Sequence, residues 1–227
     1  MAVIHRTELK PTKLELLTAW LPTRPWYRGG APELVKAGGF RLDDPEGAVG
    51  IEFMVVTDVS GPEPASYLVP LTYRGAPLDG AEHALVGTME HGVLGRRWAY
   101  DGCHDPVLVG QLLALIGGKA EAQDQNASDT PDREVTRSCS GPVPSGLAAA
   151  DDDREGTELR APDGTVLRVR RLLHPDANAS NASNGADGAD GGNGADGAGP
   201  GVTGYVAGAW NLLDGTRVRG LLAVLSE

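Results

Sequence analysis

Leu14, Leu17 and Leu21 recur at helical spacing with Trp20 beside them, and this pattern predicts a helix from about Thr12 to Leu21. Thr12 and Glu15 have capping-box spacing at its start, and Pro22 ends it. The pattern then changes to that of strands. Gly39–Asp43 is a short candidate, and Val49–Thr57 is apolar on both faces, broken only by Glu52, as in a central strand. Ser66–Arg74 alternates, with Tyr67, Val69, Leu71 and Tyr73 on one side. Pro70 inside that run predicts an edge position or a bulge. Gly61-Pro62-Glu63-Pro64 is too short for a parallel crossover, so these two strands should be antiparallel.

A helical turn is expected around Ala81–Leu85 and a strand over Val93–Tyr100. Pro106–Ile116 is the second predicted helix, capped by Asp105, with proline at its first position and Gly117-Gly118 after its end. Its body is apolar almost all round, which requires burial on more than one side. Residues 119–133 turn polar and read as a loop, and Asp151-Asp152-Asp153 as a solvated corner. Two hairpins close the chain, over Glu158–Arg171 and Tyr205–Leu225, turning at Asp163-Gly164 and Asp214-Gly215. Between them, residues 176–201 hold only Ala, Asn, Ser, Asp, Gly and Pro. Such side chains cannot offset the entropy of ordering the backbone, so a disordered insertion spanning about 174–203 is expected. The resulting fold class is α+β: an antiparallel sheet flanked by helices, in a single domain over residues 7–227.

Composition narrows the function. The 227 residues carry 20 basic and 31 acidic side chains, a formal net charge of −11. Nucleic acid is therefore not expected as a partner, because neutralising phosphates needs a basic surface. No run is long and apolar enough to span a bilayer, and Met1–Lys10 lacks the apolar core of a secretory signal, so a cytoplasmic protein is expected. Cys103 and Cys139 are too few for a disulfide framework or a cysteine zinc site.

The chemistry-bearing motifs are sparse. The one G-x-G-x-x-G, at Gly192, Gly194 and Gly197, follows no predicted strand and opens no helix. His104-Asp105-Pro106 superficially resembles a kinase catalytic loop, but Asp105 is better explained as a helix cap. Glu82-His83 and Glu90-His91 do not have the spacing of a ligand pair on one helix face, and His91 fits a turn entering the next strand. Arg96-Arg97, Arg168/Arg170 and Arg217/Arg219 could line an anion-binding stripe, yet in so acidic a chain they read as surface partners of Asp and Glu. No catalytic, cofactor or metal residue is assigned, and no cofactor is expected.

Trp20-Leu21 followed by Arg24-Pro25-Trp26-Tyr27-Arg28-Gly29 resembles the W-L-x-x-[QR]-x-W-Y-x-G opening of actinobacterial maltokinases. Tyr67-Leu68-Val69-Pro70-Leu71 looks like the Y-x-V-P-L strand of the same N-terminal cap. Gly87-Thr88-Met89-Glu90-His91 and Leu94-Gly95-Arg96-Arg97-Trp98 are similar to segments of short stand-alone relatives, sometimes labelled 1,4-alpha-glucan branching proteins. The resemblance covers about residues 7–118 and implies a curved, cystatin-like cap. The family's ATP, magnesium and maltose residues lie in a kinase body that this chain lacks, so none is carried over. The implied role is a non-catalytic accessory module in maltose, trehalose or glycogen metabolism with a protein partner. The alternatives are a binder of sugar or sugar phosphate, and kinase activity only together with a separate catalytic chain. Trp26, Tyr27, Tyr73, Arg96, Arg97 and Trp98 are the candidate interaction surface, since aromatic and arginine side chains dominate binding hot spots.

Overall fold

The computed structural model describes residues 9–148, 150–176 and 201–227. Most of the low-complexity insertion, residues 177–200, lies outside them. The first helix, α1 (Lys13–Trp20), forms where its pattern and cap predict: Thr12 accepts from the Glu15 N–H, and Glu15 answers with the Thr12 N–H. Leu17 and Trp20 are its buried side chains, and the chain tightens into a 3-10 turn over Leu21–Thr23. The second helix, α2 (Pro106–Ile116), starts at the Asp105 cap, whose carboxylate accepts from the Val107 N–H.

The rest is sheet. The strands are β1 (Leu9–Lys10), β2 (Leu34–Leu42), β3 (Gly50–Asp58), β4 (Ala65–Arg74), β5 (Leu85–His91), β6 (Gly95–Asp101), β7 (Gln123–Asp124), β8 (Thr136–Cys139), β9 (Asp151–Asp152), β10 (Gly156–Arg160), β11 (Val166–Arg170), β12 (Leu172–Leu173), β13 (Val202–Asn211) and β14 (Arg217–Ser226). Their main path runs β1-β5-β6-β4-β3-β2-β13-β14-β11-β10-β9, and its ladders are antiparallel. The expected α+β balance therefore shifts toward β: two short helices accompany a sheet that dominates the described residues. Both C-terminal hairpins turn at their Asp-Gly pairs, where Gly164 and Gly215 have positive φ.

The sheet curls back on itself. One residue beyond β11, strand β12 pairs with β4, five strands away from β11 along the path. Inside the curl, Phe40, Phe53, Val55, Leu68, Leu167, Val169 and Trp210 pack with Leu108, Leu112 and Ile116 of α2. Gly39 permits the close β2–β3 contact: its φ is +135°, and a Cβ there would lie 2.2 Å from the Phe53 carbonyl oxygen. On the outer face, the alternate residues Met54, Val56, Tyr67, Val69 and Leu71 meet Leu17, Trp20, Leu21 and Trp26. Each helix thus covers one face, as strand alternation requires.

Three expectations are corrected. Pro70 marks neither an edge strand nor a bulge, because β4 is flanked on both sides. Its far edge is shared by β6, which pairs with Leu71–Arg74, and β12, which pairs with Ser66–Tyr67. The Leu68 N–H donates toward Arg171 on that edge, and Pro70, two residues on, points its hydrogen-free nitrogen the same way, into the gap between the two partners. Second, residues 85–91 form β5 rather than continuing the turn at Glu82–Ala84, and the next strand begins at Gly95 instead of Val93. His91 Nδ1 accepts from the Val93 and Leu94 N–H groups, holding both in the hairpin turn. Third, Asp151–Asp153 is no free corner: Asp151–Asp152 form β9, and Asp153 accepts from the Glu155 and Gly156 N–H groups. Both cysteines are free thiols. Among the described residues no helix is long and apolar enough to cross a membrane.

Candidate functional site

The tryptophan-rich segment after α1 builds the most structured feature of the outer face. Trp20 and Trp26 meet edge to face at 5.8 Å between ring centroids, and Trp26 and Tyr27 both lie against Tyr67, at 6.2 and 5.4 Å. Two guanidinium groups stack on this layer, Arg24 at 4.9 Å from the Trp20 ring and Arg171 at 4.8 Å from Trp26. Arg171 is completely buried. Its Nη2 reaches both Asp101 oxygens at 2.7 and 2.6 Å, and its Nε donates to Thr157. Asp101 ends β6 and Arg171 precedes β12, so this ion pair bridges the two partners of β4 across the Pro70 gap.

Tyr27 turns outward from the same layer, and its hydroxyl donates to Asp58 at 2.6 Å. Asp58 also accepts from the Glu33 and Ser60 N–H groups at 3.0 Å. Burial alone would raise the Asp58 pKa, but these donors outweigh it and hold it below the ordinary value, while burial and the Asp58 charge push the Tyr27 pKa up. The Arg28 N–H donates to the Tyr67 hydroxyl, and the Arg28 side chain reaches the Arg154 carbonyl. Arg28, Gly29, Asp58, Ser60, Glu63 and Tyr67 line an open cleft of about 570 Å³. Gly29 has to be small, because a Cβ would sit 2.1 Å from the Tyr27 hydroxyl. The cleft offers a cation, the fixed carboxylate of Asp58 and hydroxyls beside an aromatic layer, a set suited to a polar, hydroxylated ligand.

A second polar cluster lies under α1. Lys13 forms an ion pair with Glu52, whose Oε2 also accepts from the Tyr73 hydroxyl at 2.8 Å, and the Lys13 ammonium sits 5.0 Å from the Tyr73 ring centroid. Burial would raise the Glu52 pKa, but Lys13, Tyr73 and Lys36 together lower it.

The candidate interaction residues are not gathered into one surface. Trp26 is 0 % exposed and anchors the core, so it offers no contact area. Tyr27 borders the cleft, while Tyr73 holds Glu52. Strand pairing places Tyr73 and Arg97 on one face of the sheet and Arg96 and Trp98 on the other. Arg96 is exposed and paired with Glu90, and Trp98 packs beside Tyr100 against Ala81 and Ala84. Of the other stripe arginines, Arg168 pairs with Asp153 and Glu158 and Arg217 with Glu134, while Arg219 donates to the Thr136 hydroxyl instead. Arg28, Asp58, Tyr67 and Arg171 were not selected from the sequence. Arg28 lay inside the quoted motif, but nothing near Arg171 marks it as buried rather than as one more surface arginine.

Comparison with known families gives a match to the maltokinase N-terminal cap domain over residues 20–105. That span begins at Trp20 and ends at the Asp105 cap of α2. It contains the tryptophan layer, strands β2–β6 and the residues of the cleft up to Tyr67. Residues 20–105 of this chain are thus similar to the maltokinase N-terminal cap domain, and the hairpins that follow lie outside that match and close the curl of the sheet.

Proposed function

We propose that this chain acts by binding, as a non-catalytic accessory module of maltose, trehalose or glycogen metabolism that docks on a partner protein of that chemistry. The match of residues 20–105 to the maltokinase cap carries the reading. On this reading the described chain is one cystatin-like domain, because α2 and the C-terminal hairpins complete the core that β2–β4 begin. Its place of work is the cytoplasm. Tyr27, Tyr73, Arg96, Arg97 and Trp98 remain candidates for contact, Tyr27 beside the cleft and the others on the two faces of the β4–β6 sheet.

The experiment is reconstitution. Purified chain is mixed with individual α-glucan-processing enzymes and with a separately expressed maltokinase catalytic lobe, and stable complexes are sought by light scattering. A complex with one of them that weakens in an Arg28→Ala/Tyr27→Phe variant supports the reading. No complex with any of them overturns it, as does ATP-dependent phosphorylation of maltose by the pure chain alone.

The cleft favours a second reading, a binder of sugar or sugar phosphate, with Arg28 as the anion contact and Tyr67 and Ser60 as hydroxyl contacts. Calorimetry with maltose and maltose 1-phosphate decides it: heat that saturates, and that is lost in Arg28→Ala, is expected, and flat traces with both remove it.

A further inference from the structure

We propose that Asp101, His104 and Asp152 form a binding site for a divalent transition-metal ion, of the size and ligand preference of Zn2+. One ligand atom from each residue lies within 4.8 Å of the corresponding atoms of the other two. Three separate elements supply them: the end of β6, the 3-10 turn Gly102–His104 and the short strand β9. An imidazole with two carboxylates is a mixed nitrogen–oxygen donor set, which suits a first-row transition metal better than Ca2+ or Mg2+.

Each of the three is held from behind by a partner that leaves lone pairs to spare. Asp101 is gripped by Arg171 and by the Cys103 N–H. Asp152 accepts from the Thr157 hydroxyl at 2.5 Å. His104 Nδ1 lies 3.1 Å from His83 Nε2, with the two rings edge to face at 4.8 Å. If Nδ1 is the protonated nitrogen it donates to His83, and Nε2 then carries the lone pair. This is how a metal-ligating histidine is normally oriented, by donating its other ring N–H to a fixed acceptor. His83 is thereby a positioning residue for His104.

Bonds of about 2.1 Å place ligand atoms about 3.4 Å apart, so from separations of up to 4.8 Å binding draws the three together by up to about 1.4 Å. His104 and Asp152 are half-buried, which leaves room for an exchangeable ligand beside the protein's three. Charge supports a site of modest affinity: Arg171 balances Asp101, so with a neutral imidazole the remaining charge is that of Asp152. The ion would tie β9, outside the family match, to the turn after β6, inside it.

The test uses the tag-free full chain, stripped with chelator and titrated with Zn2+ and with Co2+ as a spectroscopic probe. The expected result is one saturable equivalent per chain, Co2+ absorption bands in the visible, and a Zn2+-dependent rise in Tm. His104→Gln and Asp152→Asn should each weaken binding at least about tenfold, and His83→Ala about tenfold. Near-UV circular dichroism confirms that the variants fold, and His83, being exposed, is the variant least coupled to folding. His91→Ala, in the β5–β6 turn, should leave affinity unchanged. Absence of saturable binding overturns the proposal, as does equal affinity in His104→Gln, Asp152→Asn and wild type.

Discussion

The two faces of the curled sheet are buried by different chemistry. Inside, α2 and the strands enclose a volume that is almost wholly apolar, with Phe40 and Phe53 stacked at 4.6 Å and 3° between ring planes. Outside, the cover is one helix of eight residues and the turn after it, and charge is woven into the layer. Asp101–Arg171 lies against Trp26, Lys13–Glu52–Tyr73 under α1, and Tyr27–Asp58 at the rim. An enclosed core gains from area alone, while a thin cover gains from directional bonds that fix where it sits. The inner face should therefore be indifferent to pH and the outer face sensitive to it.

The largest effect is expected at the buried ion pair. Arg171→Ala leaves Asp101 buried without its counter-charge and removes the guanidinium from Trp26, for a loss of about 3–5 kcal/mol in urea unfolding. Arg171 Nη1 has no hydrogen-bond partner in its buried setting, so the pair is incompletely satisfied and its net worth is small. The double variant Asp101→Leu/Arg171→Met should accordingly recover most of the loss. A double variant as unstable as Arg171→Ala would mean that the pair itself stabilises the outer layer. On the inner face, Leu112→Ala should cost about 2–5 kcal/mol through cavity formation, by the same amount at pH 5 and pH 7.

Next in size is the acid response of the outer face. Glu52 and Asp58 both have pKa values below their ordinary ones, Glu52 through Lys13 and Tyr73 against its burial, and Asp58 through its hydrogen-bond donors. A depressed carboxyl pKa contributes stability that is full above the unfolded value and is lost as pH falls through the folded one. The decline should therefore begin near 4.5 for Glu52 and 3.8 for Asp58, the unshifted values, and deepen below them. Glu52→Gln should flatten the stability–pH curve below about pH 5 while lowering stability at neutral pH, and Leu112→Ala should leave its shape unchanged. Denaturant midpoints from pH 7 to pH 3 distinguish the two.

The same contrast explains what could be read from the sequence. Elements with a cap or a turn of their own were legible: α1 from Thr12 and Glu15, α2 from Asp105 and Pro106, and both hairpins from their Asp-Gly turns. Strand β5 was hidden because Met89 is its one buried residue and a bulge near Val86 breaks its alternation. Strand β8 is short, polar and mostly exposed, and so shows no hydrophobic period. At the site, the motif arginine and aromatics were visible as residues, but their division between core and surface was not. Trp26 and Tyr27 are neighbours with opposite fates, one fully buried and one reaching Asp58, because the chain turns between them. Arg171 could not be found at all from local pattern, since its counter-charge lies 70 positions away.

The smallest effects separate the anchoring of the outer cover from mere decoration of its surface. Thr12 and Glu15 bond reciprocally at the start of α1, and the helix holds Leu17 and Trp20 against Met54 and Val56. Thr12→Ala should cost about 1 kcal/mol, the ordinary worth of an N-cap. Arg96 and Glu90 pair at 2.9 Å on β6 and β5 with most of both side chains in water. Exposed pairs of this kind are screened and spend side-chain entropy to form, so Arg96→Ala should change stability by less than about 0.5 kcal/mol. Chemical unfolding of both variants in one buffer makes the comparison direct. A cost for Arg96→Ala equal to that of Thr12→Ala would show that the β5–β6 hairpin supports the outer layer as α1 does, and the sharp division drawn between cover and surface would fail there.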